Sequence, residues 1–99
     1  MAIIYHITTA ADWQQAKETG FYEHPSLAAE GFIHCSEDHQ VAGVLERYFA
    51  GQTGLVKLVI DTTKLTSRFV TEWSPSVNDH FPHIYGPLNT DAVTSVVTL

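Results

Sequence analysis

The sequence predicts an α+β protein with one compact domain over residues 1–99, a split and mostly antiparallel sheet, and two main helices. The 99 residues are enough for one hydrophobic core and too few for two. A hydrophobic fraction of 44% and a charged fraction of 16% are typical of a folded globular protein. Strand-like and helix-like segments are mixed without the regular alternation that a parallel sheet requires.

The first third of the chain is predicted to form a strand, a helix and a second, short strand. The segment AIIYHI at 2–7 is rich in β-branched and aromatic residues, which favour strands. Thr9 is placed to cap a helix over about residues 10–19, and Gly20 is placed to end it. After a turn-like segment, GFIHCS at 31–36 is the predicted second strand.

A second helix is predicted directly after Ser36, which would be its N-cap. Glu37 and Asp38 would then lie in the first turn, where the helix dipole favours negative charge. One buried face is predicted from apolar residues at i, i+3, i+4, i+7 and i+8. These residues are Val41, Val44, Leu45, Tyr48 and Phe49.

The second half of the chain is predicted to be mostly extended. LVKLVID at 55–61 is a strong strand pattern, and RFVTEW at 68–73 is another. A loop is predicted at 74–82, followed by an extended or turning segment at 83–88. The chain is predicted to end in a strand at 92–99.

The charge balance and the cysteine content limit the classes of partner and compartment. The net charge of −6, with five Lys and Arg residues, opposes binding to phosphate backbones, so neither DNA nor long RNA is expected as a partner. No apolar run approaches the roughly 18 to 20 residues that span a bilayer, so no membrane segment is expected. A single cysteine and an N-terminus without signal-peptide features favour a reducing compartment, and the expected location is the cytoplasm.

Three of the six histidines lie in or beside predicted strands: His6, His34 and His83. Because side chains alternate along a strand, His6 is expected to point with Thr8, and His34 with Ser36. Each histidine alone has an alternative interpretation as a core or edge residue that bonds a backbone carbonyl. Three together favour a shared polar site. The other histidines lie in loops or at a helix start, where exposure is expected: His24, His39 and His80.

A metal site and a thiol nucleophile are weaker interpretations of the same residues. Zinc ligands are typically spaced as Cys-x-x-Cys or His-x-x-x-His, and only His80 and His83 come near such a spacing, so no metal site is predicted. Cys35 follows His34 directly, but adjacent strand residues face opposite sides of a sheet. Cys35 is therefore predicted to be a small core residue.

Glu72 is an unusual carboxylate because it lies inside an apolar strand, between Val70 and Trp73. A carboxylate in such a place needs a partner, since burial raises its pKa and a nearby histidinium lowers it. The alternative is a glutamate on an edge strand that faces water.

Two motifs, EGFIHCS and FPHIYGPL, resemble those of a mostly bacterial family that is known only as a domain of unknown function. The resemblance spans essentially the whole chain and extends to the segments YHIT, LVKLVID and TEW. It implies no activity. His83 and Tyr85, which belong to the second motif, are candidate ligand-binding residues.

A more distant resemblance is to ADP-ribosyltransferase-like domains, especially RNA 2′-phosphotransferases, which carry a Tyr-His-Gly-Thr strand and a second histidine strand that ends in Ser. The resemblance implies that His6 bonds a ribose of NAD and that His34 and Ser36 form the second motif. It also implies that Glu72 stabilises the oxocarbenium-like transition state. Ile7 stands here where those enzymes have Gly. Transfer of an RNA 2′-phosphate is not expected, since this chain lacks room for a separate RNA-binding domain.

Two hypotheses of different classes follow from these residues. The first is a pocket that binds NAD or another nucleotide-like small molecule and promotes ADP-ribosyl-type transfer or glycosidic cleavage. The second is a non-catalytic binding or interaction module, in which the same residues form a structural His/Glu hydrogen-bond network. Under the first, the candidate catalytic residues are Glu72 and His34, and the candidate ligand-binding residues are His6, Thr8, Ser36, His83 and Tyr85.

Overall fold

A computed structural model describes residues 2–99, which form eight strands and three α-helices. In chain order the strands are β1 (Ile3–Thr9), β2 (Phe21–Tyr22), β3 (Ile33–His34), β4 (Leu55–Asp61), β5 (Arg68–Ser74), β6 (Asp79–Tyr85), β7 (Leu88–Asn89) and β8 (Val93–Thr98). The helices are α1 (Ala10–Thr19), α2 (Pro25–Glu30) and α3 (Val41–Tyr48). No helix among these residues is long and apolar enough to cross a membrane.

Two three-stranded antiparallel sheets dominate the fold. The first has the order β1-β4-β8, and the second has the order β3-β6-β5. A short antiparallel pair of β2 and β7 lies apart from both. This arrangement confirms the predicted α+β class with a split, antiparallel sheet.

A narrow backbone bridge joins the two large sheets. The N–H of Tyr5 donates to the carbonyl of Ser36 at 2.8 Å, and the N–H of Ser36 donates to the carbonyl of Tyr5 at 2.7 Å. One residue earlier, the N–H of Cys35 donates to the carbonyl of Pro82 in β6 at 3.0 Å. The segment that follows β3 therefore bonds to β6 and then to β1, which brings the first histidine strand beside the second.

The main core packs one face of β1 and β4 against the second sheet and α1. Its fully buried members gain about 1.5 to 3 kcal/mol each from leaving water, and they include Ile33, Leu58, Ile60, Ile84 and Leu88. The other face of the first sheet carries Ile7 and Leu55, which are covered by Val41 of α3. Helix α3 therefore lies on the opposite side of β1 from the main core.

Several predicted elements are confirmed. Helix α1 spans the predicted residues, the Oγ1 of Thr9 accepts from the N–H of Asp12 at 3.1 Å, and Gly20 ends the helix with a left-handed φ of 87°. Strand β4 has the predicted bounds, because a run of apolar β-branched residues fits a strand that is covered on both faces.

The start of α3 differs from the prediction. Ser36 does not cap the helix, because its backbone is extended and bonded to Tyr5. The chain instead makes a 3₁₀ turn over Asp38–Gln40, in which Glu37 and Gln40 form a reciprocal capping box, before the helix begins at Val41.

Two further expectations were wrong in detail. Tyr48 was expected on the buried face of α3, but it is 60% exposed.

The loop predicted at 74–82 is shorter, because β6 already begins at Asp79 and pairs with β5 in a hairpin. Asn78 in the turn has a positive φ of 56°, which asparagine adopts more readily than most residues. The hairpin forms one wall of a cleft between the two large sheets.

Candidate functional site

A cleft of about 540 Å³ opens where the two large sheets meet. Strand β1 contributes His6 and Ile7, and the β3 segment contributes residues 34–36. The β5–β6 hairpin forms another wall with residues 73–77. Helices α2 and α3 supply further lining residues, among them Glu30 and Tyr48. The cleft is thus built from both halves of the chain.

His6 forms the floor of this cleft and is itself buried. Its Nδ1 lies 2.5 Å from the carbonyl oxygen of His34, and its Nε2 lies 2.9 Å from the Tyr22 hydroxyl. A carbonyl only accepts, so Nδ1 carries the proton. Burial lowers the pKa of His6 to about 4. The ring is therefore neutral at pH 7, and Nε2 accepts from Tyr22.

Thr8 belongs to the same buried network. The Tyr22 hydroxyl lies 3.0 Å from Thr8 Oγ1, and burial raises the pKa of Tyr22 to about 12. Thr8 shares the core-facing side of β1 with His6, as alternation predicts, but it does not line the cleft. The polar groups of His6, Tyr22 and Thr8 are thus bonded to one another inside the protein.

His34 and His83 face each other across the β3–β6 pair. They are directly opposite in register, so both side chains lie on one face of the sheet, and their ring centroids are 5.3 Å apart. The His34 side chain is half exposed, and its Nε2 donates to Glu30 Oε2 at 2.8 Å. This bond holds the pKa of the Glu30 carboxyl below its usual range. In the neutral form of the ring, Nδ1 of His34 is then the nitrogen without a proton.

Glu72 and Tyr85 hold the ring of His83. The Nδ1 of His83 donates to Glu72 Oε1 at 2.8 Å, and the Tyr85 hydroxyl donates to the same oxygen. These two bonds, that of Tyr85 first, keep the pKa of the Glu72 carboxyl below its ordinary value, and Glu72 raises the pKa of Tyr85. Because Nδ1 of His83 is occupied and His83 lines the cleft, its Nε2 is the nitrogen left for a ligand.

Phe32 supports the two facing histidines. Its ring stacks on that of His83 with centroids 4.0 Å apart, and it meets the ring of His34 edge-on at 4.9 Å. The stacking contact on its face and the hydrogen bond from Nδ1 to Glu72 restrict the rotation of the His83 ring. The sheet face therefore presents His83 in one defined orientation.

The structure brings together most, though not all, of the predicted site residues. His6, His34, Ser36 and His83 line the cleft, whereas Glu72, Tyr85 and Thr8 do not. Glu72 has the partner that its place in an apolar strand required, and that partner is His83. Cys35 is buried in the core as predicted, and burial raises the pKa of its thiol.

Sequence reasoning missed His24 and Glu30. His24 was expected to be exposed, but it is half-buried, lines the cleft, and has its ring centroid 5.4 Å from that of His6. It caps α2 by accepting from the N–H of Ser26 at 3.1 Å, and burial lowers its pKa. The available signal was its place before Pro25, since proline favours the first position of a helix.

Among the residues that the structure describes, the cleft lining contains one carboxylate, and that carboxylate is bonded to a histidine. Glu30 is a lining residue, and within residues 2–99 no Lys or Arg lines the cleft. Arg68, on the same sheet face as Glu72, lies over the Tyr85 ring at 5.1 Å instead. Over the same described range, no group of three or more His, Cys, Asp or Glu side chains is arranged to hold a metal ion.

Comparison with known proteins gives a family and a fold. Residues 7–96 match the family described as "Protein of unknown function (DUF952)". The crystal structure of protein CC0527 from Caulobacter crescentus is 34% identical to this chain, with a TM-score of 0.87 over 97% of this chain and 84% of that one. A solution NMR structure of the same protein is 34% identical, with a TM-score of 0.80 over 100% of this chain and 85% of that one. No curated protein matches at a significant level.

Proposed function

The chain belongs to the DUF952 family, whose description names no activity, and we propose from its cleft that it binds a nucleotide-like small molecule and acts on it by proton transfer. The observation that carries this proposal is the His83–Glu72 pair, which places an oriented histidine in the wall of a cleft beside a second histidine, His34.

The size and the chemistry of the cleft support a small-molecule site. A volume of about 540 Å³ lies within the range of ligand pockets, which is roughly 300 to 1,000 Å³. Such pockets combine apolar and aromatic walls with a few polar groups. Here Phe32, Phe49 and Phe81 contribute aromatic surface, while His34 and His83 supply the polar groups.

His83 is suited to general acid–base chemistry. With its proton on Nδ1 and bonded to Glu72, the neutral ring offers Nε2 as a base to a bound molecule. When Nε2 takes up a proton, the carboxylate of Glu72 stabilises the imidazolium, as an acidic partner does in catalytic triads. Glu72 is therefore a positioning residue in this proposal, since it acts through His83.

Cleavage of an N-glycosidic bond is the reaction that this pair supports best. His83, as the imidazolium, gives the Nε2 proton to the departing base, which leaves with the electron pair of the C–N bond. A water or another hydroxyl then bonds to the sugar carbon, and its proton passes to the Nδ1 of His34. The carboxylate of Glu30, which lines the cleft, stabilises the positive charge that develops on the sugar.

NAD is the substrate that the resemblance to ADP-ribosyltransferase-like domains implies, with ADP-ribosyl transfer as the reaction. Its nicotinamide is a cation that takes the electron pair of the C–N bond and leaves as a neutral base, so in this case no proton is needed from His83, and His34 accepts the proton of the attacking hydroxyl. The histidines and aromatic residues of the cleft match a nucleoside portion of such a molecule. The pyrophosphate has no Lys or Arg partner among the described lining residues. NAD is accordingly one probe among several in the experiment below.

A thermal-unfolding screen tests the proposal, with NAD, ADP-ribose, nucleosides, nucleotides and cyclic phosphates as probes. A ligand at one hundred times its Kd stabilises the folded state by about 2.7 kcal/mol, which raises the Tm of a domain of this size by roughly 10 °C or more. Any stabilising probe that has a glycosidic bond is then incubated with the protein, and the free base is measured by chromatography.

Two histidine variants make this screen specific. His83→Gln is expected to keep ligand stabilisation and to lose base release at least a hundredfold. The control is His39→Gln, because His39 is exposed on the 3₁₀ turn and does not line the cleft. Base release that survives in His83→Gln, or a screen in which no probe raises the Tm, contradicts the proposal.

A second candidate function is a non-catalytic binding or interaction module. The observation that favours it is the buried network of His6, Tyr22 and Thr8, which uses its polar groups inside the protein. In this case the pair of His83 and Glu72 is structural as well, so His83→Gln lowers the Tm and no probe is turned over. The same screen therefore separates the two candidates.

A further inference from the structure

Two large aromatic side chains stand exposed at the cleft. Tyr48 at the end of α3 is 60% exposed, and Trp73 on β5 is 51% exposed. Both line the cleft, although they come from elements that are distant in the sequence. Exposed aromatic surface of this kind is typical of sites that bind another flat ring, because stacking removes both surfaces from water.

The same cleft offers little to a phosphate. Phosphate sites in proteins use Arg or Lys side chains, which pair with the anionic oxygens. The lining within residues 2–99 contains neither, and it contains the carboxylate of Glu30. The buried His6 is neutral at pH 7, since its pKa is about 4, and burial also lowers the pKa of His24. The other two lining histidines, His34 and His83, each already donate to a carboxylate, Glu30 or Glu72, which offsets the charge of a protonated ring. A phosphate in this cleft would therefore lose water without gaining a strong partner.

From two exposed aromatic rings in a lining that has no Lys or Arg within residues 2–99, we infer that the group bound in the cleft is an uncharged or cationic nucleoside without a phosphate. Tyr48 and Trp73 bind its planar base. This inference rests on the proposed function of the cleft and specifies its class of ligand. Tyr48 and Trp73 then determine specificity, while His83 and His34 act on the bond between base and sugar.

The inference separates ligands that differ only in a phosphate. Stacking of a base on an aromatic side chain contributes about tenfold to affinity, whichever base is stacked. A phosphate near Glu30 gains no compensating pair, so the phosphorylated member of a ligand pair is expected to bind no tighter than the nucleoside. A ligand that is bound mainly through its phosphate shows the opposite order, in which the phosphorylated form has the higher affinity.

Isothermal titration calorimetry at pH 7.5 tests this order with two matched pairs. The pairs are adenosine with its 5′-monophosphate, and nicotinamide riboside with its 5′-monophosphate. We expect each nucleoside to bind at least as tightly as its monophosphate. We also expect Tyr48→Ala and Trp73→Ala each to weaken nucleoside binding about tenfold. The control is Phe21→Ala, which removes an aromatic ring that is 52% exposed and lies outside the cleft, and it should change affinity less than twofold.

Three results overturn the inference, and they are distinguishable. A monophosphate that binds tenfold tighter than its nucleoside shows that the cleft recognises phosphate, and the proposed function survives. Nucleoside affinity that is unchanged in both aromatic variants shows that Tyr48 and Trp73 do not bind the base. If none of the four probes binds, the inference fails together with the proposal that the cleft holds a nucleotide-like molecule.

Discussion

The Nδ1 of His83 lies 2.8 Å from Glu72 Oε1, so a carboxylate on an edge strand fixes a histidine that faces the cleft. The two residues are on neighbouring strands, where Glu72 pairs with Phe81 and Val70 pairs with His83. The contact is therefore diagonal across the hairpin, a distance that long side chains reach. The Tyr85 hydroxyl on the same oxygen holds the carboxylate in place.

The first prediction concerns the tautomer of His83. In the wild-type protein the neutral ring should carry its proton on Nδ1, because Glu72 accepts from that nitrogen. In Glu72→Ala this partner is missing, and the Nε2–H form should increase. Nitrogen-15 NMR of the histidine rings measures the two forms. Glu46→Ala, which changes an exposed residue of α3, is the control and should leave the His83 tautomer as it is.

The second prediction compares the contributions to stability of His6 and His34, both of which lie in predicted strands. His6→Ala removes partners from the His34 carbonyl and the Tyr22 hydroxyl and leaves a cavity, so the free energy of unfolding should fall by about 2 to 4 kcal/mol. His34→Ala removes a half-exposed side chain and should cost about 0.5 kcal/mol or less. Urea denaturation measures both. Equal losses in the two variants would contradict the assignment of His6 to the buried network.

The third prediction is the pH dependence of stability that His6 produces. Its folded pKa of about 4 is below the ordinary value of 6.5, so the unfolded state binds more protons between these two values. The contribution of His6 is therefore complete above about pH 6.5 and is lost as the pH falls toward 4, at roughly 1 kcal/mol for each pH unit.

A comparison with His6→Gln isolates this contribution. The variant should show a shallower dependence of its free energy of unfolding on pH between 4 and 6.5. Some slope should remain, because the pKa of His24 is also lowered by burial. Urea denaturation at several pH values gives both curves, and parallel curves would show that His6 is not buried in its neutral form.

The fourth prediction concerns Cys35. The thiol is buried in the main core, and burial raises its pKa, so the thiolate that reacts with disulfide reagents is scarce in the folded protein. Labelling should be on the order of a thousandfold or more slower than in the unfolded chain, because the core must open first. Rapid labelling of the native protein by a colorimetric disulfide reagent would argue against this placement.

Local sequence patterns were sufficient to predict the elements whose bounds are set by interactions between residues close together in the chain. Helix α1 was predicted from Thr9 and Gly20, which cap its two ends through bonds to residues three or four positions away. Strand β4 was predicted from an apolar β-branched run. The start of α3 was mispredicted, because the competing partner of Ser36 is Tyr5, which lies far away in the sequence.

The candidate site shows the same limit. Alternation along single strands indicated the directions of His6 and His34, but the partner of Glu72 depends on the register between β5 and β6. That register follows from the hairpin turn at 75–78, which lies inside the predicted loop at 74–82 but whose bounds the sequence pattern did not give. His24 and Glu30 lie at the two ends of α2, as its N-cap and its last residue, and the position of this six-residue helix is set by contacts with the rest of the fold.

The most direct test of the central claim, that the cleft holds a nucleoside beside His34 and His83, is an NMR titration of the six histidine rings with adenosine and with nicotinamide riboside at pH 7.5. The ring signals of His34 and His83 should shift and saturate with at least one of these probes, while those of His39, outside the cleft, stay in place. Saturable shifts at His39 without shifts at the other two, or no saturable shift with either probe, would contradict the claim.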